Sequence, residues 1–119
     1  MARRDLSGAV DFAVLESYAA NDDGVIEEVL NLFRQQAQLW GPMLDAGHPG
    51  WRDAAHTVKG AAAGIGAAEL AEVCSTAEQS PSELAAPALG RVQDALNRAL
   101  ADVAAYQHER MLQSLRSPS

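Results

Sequence analysis

Apolar residues recur along this chain at helical spacing, and nowhere do they alternate with polar ones long enough to suggest a strand. The cleanest run is Ile26, Val29, Leu30, Phe33, Ala37, Trp40 and Leu44. It predicts a helix that starts near Asp22 or Asp23, where an aspartate serves as N-cap. Gly41-Pro42 falls inside the run, so the chain either kinks there or ends one helix and opens a separate last turn. Upstream, Val10, Phe12, Val14, Leu15 and Tyr18 predict a short docking helix over about residues 9–20, followed by a turn at Asn21-Asp22-Asp23-Gly24. The clearest break is Asp45-Ala46-Gly47-His48-Pro49-Gly50. After it, Ala55, Val58, Ala62 and Ile65 step by three, four and three, and predict a helix over about residues 51–64 that Gly64-Ile65-Gly66 closes. Leu70, Val73, Cys74 and Ala77 predict a helix over about 67–79, and Ser80-Pro81-Ser82 marks a connection. Leu89, Val92, Leu96, Ala99, Val103 and Tyr106, with Leu100 beside them, form the seam of a long last helix. Leu84–Pro87 reads either as connection or as that helix's first turn, where proline is tolerated. Residues 1–8 and 113–119 are expected to be flexible.

Four of these helices are long and apolar enough to bury one another, and short connections make neighbours antiparallel. The fold expected is all-α: an antiparallel four-helix bundle with an additional short N-terminal helix capping one end. The 119 residues, without internal repeat or low-complexity linker, read as a single domain, 1–119. Composition agrees, because alanine, the strongest helix former, abounds and only 5% of residues are aromatic. Phe33, Trp40 and Trp51 are expected in the core.

Charge narrows the function. The formal net charge is −7, and the nine Lys and Arg form no basic stripe, which argues against nucleic acid and an anionic membrane surface as partners. No apolar run approaches the ~20 residues that span a bilayer, and polar residues after Arg3 and Arg4 speak against a secretory leader. A lone cysteine, Cys74, fits a reducing compartment, so a cytoplasmic setting is expected. His48 and His108 make no i, i+4 pair with another histidine, and Cys74 matches no zinc spacing, so no metal site is expected.

The chemistry gathers at His56-Thr57-Val58-Lys59-Gly60. On a helix, residues three, four and seven apart share a face, so His56 shares one with Lys59, Gly60 and Ala63. A glycine inside a helix costs about 1 kcal/mol relative to alanine, and stability alone does not call for Gly60. The pattern places an imidazole beside an ammonium, over nearly bare backbone, on a helix whose other face is apolar. That suits a phosphoryl group carried on His56: imidazole is a competent nucleophile, Lys59 offsets anionic charge, and the small residues admit a partner. Phosphoryl transfer depends mainly on positioning and charge stabilisation. The chain has no phosphate-cradling glycine loop and no kinase signature of its own. Some apolar surface near His56 is expected to remain exposed for docking.

The string Ala55-His56-Thr57-Val58-Lys59-Gly60, with Gly66 and Leu70 at their offsets, resembles the histidine-containing phosphotransfer (HPt) domain of phosphorelays, and the resemblance covers most of the chain. It implies a four-helix bundle with His56 exposed in mid-helix and phosphorylated at Nε2. The group would be exchanged with receiver-domain aspartates of response regulators and a histidine kinase. It implies no cofactor on this chain, the Mg²⁺ belonging to the receiver. Family members often carry Gln or Glu on the next helix reaching the imidazole, and the matching offset here is Glu78. Gly60, Ala63, Gly64 and Arg52 are the candidate partner contacts. Val58 departs from the usual Leu, Ala63 from Gly, and Gly64 from Asn or Ser. Two other readings remain open at the level of sequence. One is the dimerising phosphoacceptor domain of a sensor kinase, although there the histidine is typically followed by an acidic residue and here by Thr57. The other is an interaction bundle without phosphotransfer. A monomer is expected for the carrier and a dimer for the kinase module.

Overall fold

The computed structural model describes residues 8–116, so most of the expected loose ends, 1–7 and 117–119, lies outside the described residues. Among the described residues five α-helices follow one another: α1 (Phe12–Tyr18), α2 (Asp23–Trp40), α3 (Trp51–Ile65), α4 (Ala68–Gln79) and α5 (Ala85–Arg116). α2 packs on α3, α3 on α4, α4 on α5, and α5 returns to α2, which closes a four-helix bundle. Among the described residues there is no strand.

The α2 stripe reads as expected in its inner part. Ile26, Leu30, Phe33 and Ala37 are buried, and the Asp22 carboxylate caps the helix by accepting from the Val25 N–H at 3.1 Å. That cap moves the turn: the reversal lies at Ala19–Asp22, and Gly24 belongs to the first turn of α2. Trp40, expected in the core, is half-buried at its edge, where its indole N–H donates to Gln36 Oε1 at 2.9 Å. Gly41-Pro42 ends α2 and opens a single 3₁₀ turn, Gly41–Met43. Gln93 of α5 holds this turn by donating to the carbonyls of Gly41 (3.1 Å) and Leu44 (3.2 Å), groups the helix no longer satisfies.

α1 is shorter than the expected 9–20, and the reason is tertiary. The Val10 N–H is taken by the buried carboxylate of Asp102 on α5 at 3.1 Å, and the Asp11 N–H by the carbonyl of Gly66 at 2.9 Å. With those donors committed elsewhere, the helix starts only after Asp11, whose side chain caps it. Docking falls to Val10, Phe12 and Leu15, which are buried, whereas Val14 and Tyr18 point outward. Phe12 stacks on the Tyr106 ring with centroids 4.0 Å apart. The Tyr106 hydroxyl donates to Glu16 at 2.6 Å, and burial followed by that hydrogen bond pushes its pKa up to about 12, so it remains a donor. α1 thus lies across the C-terminal end of α3, fastened to α5 by Asp102 and Tyr106.

The seam of α5 is buried as its spacing predicts, from Leu89 through Tyr106, and Pro87 sits in the first turn. α5 continues to Arg116, so residues 113–116 of the tail expected to be flexible are helical.

α3 runs one residue past its expected end. It stops at Gly66, which takes the left-handed φ of +84° that glycine adopts without penalty, while Gly64 lies inside the helix. A Cβ at Gly66 would also collide with the Asp11 carbonyl oxygen. Gly66→Ala is therefore expected to destabilise the protein by more than about 2 kcal/mol in urea unfolding, since the left-handed conformation alone costs about 1–2 kcal/mol. An unchanged midpoint would show that the α1–α3 junction tolerates a shift. Cys74 is buried in α4, and burial, with Glu78 adding and Lys59 opposing, raises its thiol pKa to about 12. Iodoacetamide at pH 8 should modify the folded chain at least ~100-fold more slowly than the urea-unfolded chain, because only the thiolate reacts.

Candidate functional site

α3 divides its residues cleanly between two faces. Ala54, Ala55, Val58, Ala62 and Ile65 are buried at 2% exposure or less. His56, Gly60, Ala63 and Gly64 are exposed, and Lys59 is half-buried between the two faces. The helical pitch thus turns an apolar seam inward and, with the same regularity, turns the histidine outward.

The His56 side chain is 70% exposed, yet its ring is not free to turn without cost. Its Nδ1 lies 2.9 Å from Glu78 Oε2 of α4. A carboxylate only accepts hydrogen bonds, so this contact requires the proton on Nδ1. In the neutral ring the lone pair then stands on Nε2, pointing away from Glu78. Lys59 lies one turn along α3, and it and Glu78 act in opposite senses on the buried Cys74 thiol of α4.

Gly60 and Gly64 are bare for no reason within the fold. A Cβ built at either meets nothing within 4 Å. Each costs about 1 kcal/mol relative to alanine inside a helix, and no neighbour in this chain needs the space. They form one wall of a groove of about 410 Å³ between α2 and α3, whose other wall is Val29, Leu32 and Phe33. Leu32, more than half exposed, repeats on α2 with Val25 and Leu39 at seven-residue intervals, all three exposed. Of this second apolar stripe, Leu32 borders the groove that Gly60 and Gly64 line. The buried stripe beside it dominates the pattern of α2, although the seven-residue spacing is legible in the sequence.

Arg52 is exposed, one turn before His56. It donates from Nη1 to the main-chain carbonyl of Glu78 at 2.7 Å and lies over the Trp51 ring, with Cζ 4.3 Å from the centroid. The structure therefore brings His56, Glu78 and Arg52 into one hydrogen-bonded set and lays Gly60 and Gly64 along the adjoining groove. His48 stands apart, its Nδ1 accepting from the Gly50 N–H at 2.9 Å within the loop before α3. A larger groove, about 610 Å³, lies between α2 and α5 and is lined by none of the motif residues. Among the described residues no three His, Cys, Asp or Glu side chains cluster as metal ligands, and no helix is long and apolar enough to cross a membrane.

The chain matches the family model of the Hpt domain over residues 25–105. It is also similar to the crystal structure of histidine phosphotransferase ShpA from Caulobacter crescentus. Identity is 56%, the match covers 91% of this chain and 99% of that one, and the TM-score is 0.79. No match is found among curated proteins. Since the family match spans most of the sequence and takes in the whole of α3 and α4, the chain belongs to the Hpt domain family, the intermediates of phosphorelays.

Proposed function

We propose that His56 is the phosphoacceptor of this carrier, and that the group arrives from a receiver-domain phosphoaspartate and leaves to another receiver aspartate. The observation that carries the reading is the state of the imidazole: exposed on one side, with Nδ1 engaged by Glu78 and Nε2 open. In the forward step the Nε2 lone pair forms the P–N bond as the acyl-phosphate P–O bond breaks. The aspartate leaves as its carboxylate, and Nδ1–H stays on the ring, its positive charge facing the Glu78 carboxylate. The reverse step returns the group by the same path. Glu78 orients the ring and stabilises that charge, and Lys59 offsets the negative charge of the phosphoryl group. Mg²⁺ and the remaining catalytic groups belong to the receiver. This chain supplies a positioned nucleophile, which suits a transfer governed by geometry and charge.

The receiver docks over the bare strip. Gly60, Ala63 and Gly64 provide clearance, and Val25, Leu32 and Leu39 of α2 provide apolar contact. A transient complex that must release its partner after each transfer needs only a small interface. The carrier acts as a monomer, one receiver at a time.

Incubation with a phosphorylated cognate receiver should label the chain with an acid-labile, base-stable phosphate. His56→Gln should abolish the label with the circular dichroism spectrum unchanged. Label that survives this substitution would sink the assignment. Gly60 separates clearance from fold. Gly60→Ala should raise stability by about 0.5–1 kcal/mol, because the glycine is unfavourable in a helix and nothing crowds the site. Gly60→Gln should remain folded yet slow transfer strongly by standing in the partner's way. Wild-type transfer rates in Gly60→Gln would show that the receiver approaches from elsewhere.

A further inference from the structure

The end of α4 is secured carbonyl by carbonyl. A helix leaves its last carbonyls without intrahelical partners, and in α4 three consecutive ones are met by other donors. The Ser80 hydroxyl donates to the Thr76 carbonyl at 2.7 Å, the Ser80 N–H to that of Ala77 at 3.1 Å, and Arg52 of α3 to that of Glu78 at 2.7 Å. The first two are local capping. The third reaches across 26 positions to another helix, from a side chain one turn before the histidine. A guanidinium at a helix C-terminus is also favoured by the helix dipole. Glu78 is thus gripped at both ends by α3: its main chain by Arg52 and its carboxylate by His56. Arg52 is itself braced against Trp51, a ring only 7% exposed.

We infer that Arg52 is a positioning residue for phosphoryl acceptance at His56. By holding the main chain of Glu78, it orders the carboxylate that keeps the proton on Nδ1 and the lone pair on Nε2. Arg52 does this through Glu78, without touching the phosphoryl group or the receiver. The inference rests on the phosphorelay reading of His56 and adds to it a residue whose side chain would otherwise read as a solvated arginine or a docking contact.

The test joins spectroscopy on the free chain to transfer kinetics in four variants: Arg52→Met, which keeps the apolar stem and removes the donors, Arg52→Lys, which keeps one donor, Glu78→Ala, and Arg52→Met with Glu78→Ala. The imidazole ¹⁵N shifts of His56, assigned by comparison with His56→Gln, report the tautomer. Wild type should show Nδ1–H. Arg52→Met should shift population toward Nε2–H, and Arg52→Lys should recover part of the loss. In transfer from a phosphorylated receiver, Arg52→Met should slow the step at saturating receiver by roughly tenfold, the scale of outer-sphere orienting contacts, with the half-saturating concentration unchanged. On the Glu78→Ala background it should add nothing, because a residue acting only through Glu78 has no further effect once Glu78 is gone. An Arg52→Met spectrum with the wild-type tautomer would overturn the inference. So would an undiminished further loss in the double variant or a raised half-saturating concentration, either of which would assign Arg52 to docking. A wild-type chain that takes no label would instead defeat the phosphorelay reading, with the tautomer measurement still reporting on Arg52.

Discussion

The close contact of α3 with α4 is the constraint on which the rest depends. The two helices make the most extensive helix–helix contact in the bundle, and both bury small side chains, Ala55 and Ala62 on one and Cys74 and Ala77 on the other. The separation of packed helices follows the size of the side chains between them, and residues this small let the two backbones approach. Only that approach puts Glu78 of one helix within 2.9 Å of His56 on the other. Larger residues at the seam would bury more apolar area, at about 25 cal/mol per Å², but would carry the carboxylate out of reach of the imidazole. The alanine-rich composition thus does more than favour helix. It also bears on how close the imidazole and the Glu78 carboxylate can come.

The glycines show the opposite allocation. Gly66 is required by the fold, for its φ and for the passage of Asp11. Gly60 and Gly64 are not, since nothing in the chain crowds them. A cost of about 1 kcal/mol each is a sizeable fraction of a net stability of about 5–15 kcal/mol. Sequence reasoning sets Gly60 apart, inside the helix, but treats Gly64 and Gly66 alike, as glycines at its end. Only the surroundings of each separate a glycine the fold requires from one that the fold leaves uncrowded.

Much of the fold was legible because periodicity and burial are the same fact seen twice. The α3 steps of three and four and the α5 seam from Leu89 to Tyr106 became buried faces as written. The start of α1 was not legible, because it lies against two hydrogen bonds from distant positions, Asp102 and Gly66, that leave no mark on the local pattern. Asp102 itself reads as a surface acid until the Val10 N–H is found against it. At the site, His56, Lys59 and Gly60 stood out by spacing alone, whereas Glu78 came only through the offset of a family resemblance. The Arg52–Glu78 contact was beyond sequence reading, because its acceptor is a main-chain carbonyl, which every residue possesses.

A phosphoacceptor must remain exposed to its partner, so burial cannot fix its orientation as it fixes that of a core side chain. One hydrogen bond must do so. In partly exposed surroundings a charge-assisted contact is worth about 1 kcal/mol once solvent screening is allowed for, and the rotamer freedom it opposes is of similar size, about 1 kcal/mol. The contact alone would therefore bias the ring without holding it. The balance tips only if the acceptor is already ordered, so that its own freedom is not lost when the bond forms. Glu78 meets that condition: its side chain is 30% exposed, and its main chain is fastened to α3 through Arg52. In the proposed reading, the orientation of the imidazole is thus borrowed from the end of a neighbouring helix, while its accessible side is left to the receiver.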